Sequence, residues 1–229
     1  MSKVILKNVR LSFVNVDVPK SVEDGGEKKY SVSIIIPKDD KKRMLYETGK
    51  KLLFENGYHE IGMDHFALKT DTLYDAFEKG ALHRNFMGYS SSKTKLMIGL
   101  GVSSISDSWY SFAQNVKSLE EYYQLLERNK LPVYRGHLLT GEDLIIRKHI
   151  LNLMCQFETS WKNQEAYFEE IPEVLNQLKE MENDGLLIIK ENSIAVTEKG
   201  KPYVRNICMA FDLRLKRKAP ETELFSMTI

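Results

Sequence analysis

The chain has 229 residues, 42% apolar and 28% charged, the balance of one or two globular domains with enough apolar surface for a buried core. A net charge of +1 excludes a global electrostatic pull toward nucleic acid or acidic lipid, and no apolar run approaches the roughly 18 residues of a membrane span. The opening Met1-Ser2-Lys3-Val4-Ile5-Leu6-Lys7 is too short and too charged for a signal peptide, and two cysteines, Cys155 and Cys208, suit a reducing cytoplasm better than a disulfide framework.

In chain order, Val4, Leu6, Val9, Leu11 and Phe13 alternate as in a strand, and Tyr30, Val32, Ile34 and Ile36 do so again. Between them Asp24-Gly25-Gly26 is turn chemistry, which predicts a long hairpin closed by Pro37. The period then changes. Met44, Leu45, Gly49, Leu52, Leu53 and Phe54 predict a helix that Asn56-Gly57 stops. A short strand over 58–61, a helix over 71–78 ending at Gly80 and a buried strand over 95–105 complete a helix–strand alternation, the grammar of a parallel sheet. Two strands are too few to stand alone, so either something that should complete this sheet is missing or a partner supplies it.

From Leu119 onward helices dominate. Thr140-Gly141-Glu142-Asp143 has capping-box character and feeds a helix over 144–157. A helix over 171–183 stops at Asp184-Gly185, and strands over 186–189 and 193–196 turn at Glu191-Asn192. Thr197 is placed to cap a last helix running to about Leu215. The whole predicts an α+β protein in three parts. Residues 1–42 form a β-hairpin segment, 43–115 the strands and helices of an incomplete (β/α) barrel, and 116–229 a helical domain with a winged-helix-like hairpin.

Asp64 and His65 follow a strand end, and His83 and Arg84 follow a helix. In α/β sheets such positions collect ligand groups. The same four side chains serve equally well as an internal ion-pair network, because buried charge is costly unless it binds or pairs. Gly99-Leu100-Gly101-Val102-Ser103-Ser104-Ile105-Ser106 brings glycines to a strand end, where backbone can approach a ligand or simply pack. Ser108 to Asn115, with Trp109, Tyr110 and Phe112, suits a pocket wall or a helix buried on a sheet. Basic clusters at Lys38, Lys41, Lys42 and Arg43, and at Arg214, Lys216, Arg217 and Lys218, read as solvated element ends. Cys155 and Cys208 sit in apolar helical contexts as packed thiols, and two thiols cannot hold an iron–sulfur cluster of the usual three- or four-cysteine kind.

Several strings taken together resemble one family. Ile61 to Ala67, Leu82 to Tyr89, Gly99 to Ser106, Arg135-Gly136, Leu151 to Cys155, Val204 to Asp212 and Leu224 to Ile229 are similar to successive blocks of the oxygen-independent coproporphyrinogen III oxidases. The resemblance begins near residue 43. It implies a radical S-adenosylmethionine enzyme that converts two propionates of coproporphyrinogen III to vinyl groups in haem biosynthesis. In that family a 4Fe-4S cluster on a C-x3-C-x2-C loop generates the radical, beside a second S-adenosylmethionine. The resemblance implies contact between that second molecule and Ile105. It supplies no catalytic residue and no metal ligand here, since the cysteine triplet has no counterpart in this chain. The reading is therefore a fragment of such an enzyme, inactive alone, for which a complementing N-terminal half is a candidate partner.

Lys3 to Phe13 and Lys28 to Lys38 are similar to a phage family that binds single-stranded DNA through an OB-like barrel, with Arg10, Phe13 and Tyr30 available for stacking and phosphate contact. A single-stranded-DNA-binding module is thus the alternative. The predicted wing helices carry mixed charge, with Glu173, Lys179, Glu180 and Glu182 in one and Arg205, Asp212 and Arg214 in the other, which argues against duplex recognition there.

Overall fold

The structure, a computed structural model, describes residues 8–10, 15–16, 20–24, 27–31, 34–35 and 39–218, with side chains from 40 to 217. They divide into two compact units, one within residues 1–75 and one within 76–226.

In the first unit, β1 (Asn8–Arg10), β2 (Asn15–Val16), β3 (Lys20–Asp24), β4 (Glu27–Ser31) and β5 (Ile34–Ile35) precede α1 (Asp39–Glu55), β6 (Tyr58–Gly62) and β7 (His65–Leu68). β3 pairs antiparallel with β4 from Asp24↔Glu27 to Lys20↔Ser31, and β2 with β5 extends the same hairpin. β1 does not join that hairpin. It pairs with β7, Asn8 opposite Ala67, in a β1-β7-β6 sheet. Val4, Leu6, Leu11, Phe13, Val32, Ile36 and Pro37 lie outside the described residues. α1 ends where expected, with the Asn56 amide donating to the Leu52 and Leu53 carbonyls and Gly57 in the left-handed region at φ +81°. Tyr46, Tyr58, Ile61, Phe66 and Ala67 form the core, and Phe54 meets Phe66 edge-on at 6.1 Å.

α2 (Thr72–Glu78) leads to the second unit. Here follow β8 (His83–Asn85), β9 (Gly88–Ser90), β10 (Ile105–Asp107), β11 (Ser111–Asn115), α3 (Leu119–Glu127), β12 (Val133–Leu138), α4 (Gly141–Gln156) and β13 (Glu158–Ser160). α5 (Ile171–Asn183), β14 (Leu187–Lys190), β15 (Ser193–Val196), α6 (Val204–Ala210) and α7 (Leu213–Lys218) complete it. The sheets are β10-β11-β12, β13-β15-β14 and the β8-β9 hairpin. The core is apolar and is drawn from α4, α5, α6 and the β14–β15 hairpin: Leu153, Val174, Leu178, Leu187, Ile194, Val204, Ile207 and Phe211 are almost wholly buried. Burying such side chains contributes roughly 1.5–3 kcal/mol each.

Helices and small sheets mix as expected of an α+β chain, and among the described residues no sheet closes into a barrel. Four expectations are corrected. The parallel sheet is absent from the described strands, because β6–β7 and β8–β9 are joined by two-residue turns, whereas a parallel pair needs a long crossover. Met63 takes φ +53° in the first of these turns. The predicted strand over 95–105 enters a ladder only at Ile105. Before that, Met97 makes one bridge with Asp107, and Gly101 (φ +92°) and Ser103 (φ +59°) fold the chain back on itself. Residues 111–115 form a strand, which removes the buried-helix reading of that aromatic stretch. Finally, the Thr197 hydroxyl accepts from the Gly200 amide in a turn, and the predicted long final helix is divided into a 3-10 turn, α6 and α7.

Candidate functional site

Asp64 and His65 belong to the first unit. They sit at the β6–β7 turn, and the His65 ring places Nδ1 2.9 Å from Asp64 Oδ1. Beneath them Tyr46 donates to Glu60 and to the Met63 carbonyl, and Lys50 pairs with Glu60 at 2.6 Å. Burial, reinforced by the Glu60 carboxylate, pushes the Tyr46 hydroxyl far above its ordinary pKa, so it stays a donor that pins the turn.

His83 and Arg84 belong to the second unit, on β8. The His83 ring is buried. Desolvation, then the positive charges of Lys93 and Arg147, hold its pKa below the ordinary value. Arg84 lies over the Tyr89 ring at 4.6 Å, while the Tyr89 hydroxyl donates to the Met154 carbonyl and ties the β8–β9 hairpin to α4. Arg84 Nη1 is buried and has no hydrogen-bond partner among the described residues. An unpaired buried guanidinium nitrogen is costly, and an anionic acceptor would satisfy it. Arg84 is also close enough to Cys155 and Cys208 for its charge to oppose the effect of burial on both thiols.

Beside this lies a pair that the sequence did not single out. Asp107, buried at the end of β10, accepts two hydrogen bonds from Arg147 of α4, at 3.1 and 2.6 Å. Arg147 also donates to the Trp109 carbonyl at 3.0 Å and stacks on the Trp109 ring at 4.4 Å. Trp109 takes φ +70°, held there by its amide donating to Asp107 at 2.8 Å. The Asp-x-Trp spacing was the only local hint, and the arginine stands 40 residues away.

Ile105 opens β10 opposite Gln114. The loop before it is folded around the amide of Asn115, whose Nδ2 donates to the Gly99 and Gly101 carbonyls at 3.2 and 2.9 Å and to Ser104 Oγ at 3.1 Å. A Cβ on Gly99 would lie 2.8 Å from the Ile105 carbonyl oxygen, so glycine is required there for the close backbone approach.

The cysteines do not fit an iron–sulfur site. Both are buried, and burial pushes the Cys155 thiol up to about 11 and the Cys208 thiol up to about 12, which disfavours the thiolate a cluster requires. Among the described residues no group of three or more His, Cys, Asp or Glu could hold a metal ion. The arginines of the two basic clusters are paired within the chain. Arg43 pairs with Glu47, Arg214 with Asp143, and Arg217 with Glu142 and Glu170. Arg10 and Tyr30 sit in β1 and β4, and Lys38 and Phe13 lie outside the described residues. No helix among the described residues is long and apolar enough to cross a membrane.

Against known proteins the chain divides. Residues 2–61 match the family described as "Enterobacter phage Enc34, ssDNA-binding protein", a match running past residue 42 through α1 and most of β6. The oxygen-independent coproporphyrinogen III oxidase of Escherichia coli is 38% identical over 189 residues, covering 80% of this chain and 41% of that protein. The protein of that name from Synechocystis is 36% identical over 212 residues, 89% of this chain and 45% of its own length. The one from Salmonella typhimurium is 41% identical over 172 residues, 73% and 38%. A solved structure of coproporphyrinogen III oxidase from Escherichia coli superposes with a TM-score of 0.72 at 38% identity, over 78% of this chain and 42% of that one.

The likeness in fold is thus to a radical SAM enzyme. More narrowly, most of this chain is similar to part of the oxygen-independent coproporphyrinogen III oxidases, and residues 2–61 are similar to the phage single-stranded-DNA-binding family. The chain spans less than half the length of the curated relatives it matches.

Proposed function

We propose that this chain carries the C-terminal portion of a coproporphyrinogen III oxidase active site, in the cytoplasm, and does not complete the oxidative decarboxylation by itself. The 38% identity across 80% of the chain, with a matching fold, carries this reading. The parts contributed would be a barrel remnant over 43–115 and a winged-helix-like domain over 116–229, with residues 1–42 of separate origin. The cysteines present do not fit a 4Fe-4S cluster, so no step of the radical chemistry is assigned to this chain. What its own residues can do is bind. Arg84, with a buried Nη1 in need of an acceptor, has the chemistry to hold a propionate carboxylate. His83 beside it is kept neutral by burial and neighbouring cations. Ile105, at the glycine-lined loop, is the proposed backbone contact to S-adenosylmethionine. Asp64 and His65 are proposed substrate or positioning groups from the first unit.

Titration of the chain with oxidised, fluorescent coproporphyrin III tests this. Saturable binding that weakens about tenfold in Arg84→Met, a cost of about 1.4 kcal/mol, supports it. Identical binding by both proteins, or none by either, overturns it.

A second reading rests on the phage-family match over residues 2–61. On that reading the N-terminal segment binds single-stranded DNA with salt-sensitive affinity, because phosphate contacts release counterions. Fluorescence anisotropy with a labelled oligonucleotide at low and moderate salt distinguishes the two, and a flat signal ends the DNA reading.

A further inference from the structure

The stretch before β10 presents an unfinished strand. Hydrogen bonding alternates along it. Met97 exchanges two backbone bonds with Asp107, at 2.7 and 2.9 Å. The Gly99 amide donates to Ser106 Oγ and its carbonyl accepts from Asn115. The Gly101 amide donates to the Tyr122 hydroxyl, and its carbonyl accepts from Ser104 and Asn115. The residues between behave oppositely. Among the described residues, the backbone groups of Leu96, Ile98 and Leu100 make no hydrogen bond, and these residues are 62%, 68% and 84% exposed.

This is the period of two of a β-strand. One edge, carrying Met97, Gly99 and Gly101, is satisfied by the chain itself. The other edge and one apolar face are open. A strand with unpaired N–H and C=O groups and exposed leucine and isoleucine invites strand addition. The apolar alternation and the flanking glycines are those of a buried strand, and among the described residues that burial is not supplied.

We infer that the Leu96–Ile98–Leu100 edge is the docking site for a β-strand from the part of a coproporphyrinogen oxidase chain lying outside the shared segment. The shared segment is 42% of the solved relative, so more than half of an enzyme of this kind remains to cover such a surface. A strand is the occupant, rather than a helix, because the open groups alternate along an extended edge and only another extended backbone satisfies them in register. This inference rests on the proposed family reading, whose own test, coproporphyrin binding by the chain alone, does not involve this edge.

The experiment is co-expression of the full chain with an affinity-tagged N-terminal portion of the Escherichia coli relative, followed by affinity capture and size-exclusion chromatography. The chain is expected to co-purify in a one-to-one complex. Ile98→Pro removes an N–H that makes no bond among the described residues and blocks pairing along the open edge. Leu100→Lys places a charge on the exposed face. Each is expected to reduce recovery at least tenfold while leaving the melting temperature of the isolated chain within a few degrees. Leu131→Lys, at another exposed leucine outside the edge, is expected to leave recovery unchanged. Failure of the unmutated chain to co-purify overturns the inference. So does recovery that is indifferent to Ile98→Pro and Leu100→Lys. Self-association without the partner, abolished by Ile98→Pro, would instead assign the edge to a second copy of this chain and also overturn it.

Discussion

Replacing Arg147 by methionine removes one half of a buried ion pair and leaves the other half in place. The Arg147 and Asp107 side chains are 13% and 9% exposed, so the Asp107 carboxylate would lose two charge-assisted bonds, at 2.6 and 3.1 Å, with little water to replace them. Arg147 also gives up its bond to the Trp109 carbonyl and its stacking on the Trp109 ring at 4.4 Å, which frees a residue held at φ +70°. Breaking a buried pair from one side costs about 3–5 kcal/mol. For a chain of this size that lowers the melting temperature by about 6–20 °C, at about 2–4 °C per kcal/mol. Urea unfolding followed by circular dichroism measures the loss. The double variant Asp107→Asn with Arg147→Met is expected to recover most of it, because the stranded charge is gone. A single variant within 1 kcal/mol of the parent, or a double variant no more stable than the single, would refute the claim that this pair anchors β10 to α4.

Three further outcomes follow from buried groups. His83 and His149 are both held below the ordinary histidine pKa, chiefly by burial. The unfolded chain therefore takes up protons that the folded chain refuses as pH falls through about 6.5. Stability should decline from about pH 7 to pH 5, by at most about 1.4 kcal/mol per pH unit for each histidine, and His83→Gln should flatten the decline. A pH-independent urea midpoint over that range would contradict this. The thiols of Cys155 and Cys208, pushed up to about 11 and about 12, should resist a disulfide labelling reagent in native buffer and react fully in guanidinium. Rapid native labelling of either would show that it is not packed as described. Gly200→Ala places a Cβ 1.7 Å from the Leu186 carbonyl oxygen, so the turn after β15 must shift. The expected loss is about 1–3 kcal/mol, as for other overpacked sites, measured by thermal melting against a neutral surface alanine.

What could be read in advance was local. The Thr140–Asp143 capping box is complete: the Thr140 hydroxyl accepts from the Asp143 amide, and the Asp143 carboxylate accepts from the Thr140 amide. α5 ends where Asp184-Gly185 said it would, with Gly185 at φ +72°, and the hairpin turns at Glu191-Asn192. These signals lie within a few residues of what they specify. The missed features depend on distant partners. Arg147 finds Asp107 across 40 positions. His149 was not singled out, although its two ring nitrogens meet Thr159 Oγ1 and the Ala166 carbonyl, both at 2.7 Å. β13, Glu158–Ser160, is short and polar, and it exists because β15 offers it an edge. The candidate site was legible as residue types and no further. Asp64 and His65 meet each other within one unit, and His83 and Arg84 lie on β8 of the other. Residues 95–105 failed for the reverse reason: the alternation is a strand's, and the described residues provide no second edge for it.

The proposed function gives this chain a binding role in coproporphyrinogen III oxidation and no radical-generating centre of its own. Anaerobic reconstitution with iron and sulfide, followed by absorption spectroscopy and an assay for S-adenosylmethionine cleavage, tests it most directly. No stable cluster absorption and no cleavage above the protein-free control are expected. A stable 4Fe-4S spectrum together with cleavage of S-adenosylmethionine by this chain alone would contradict it.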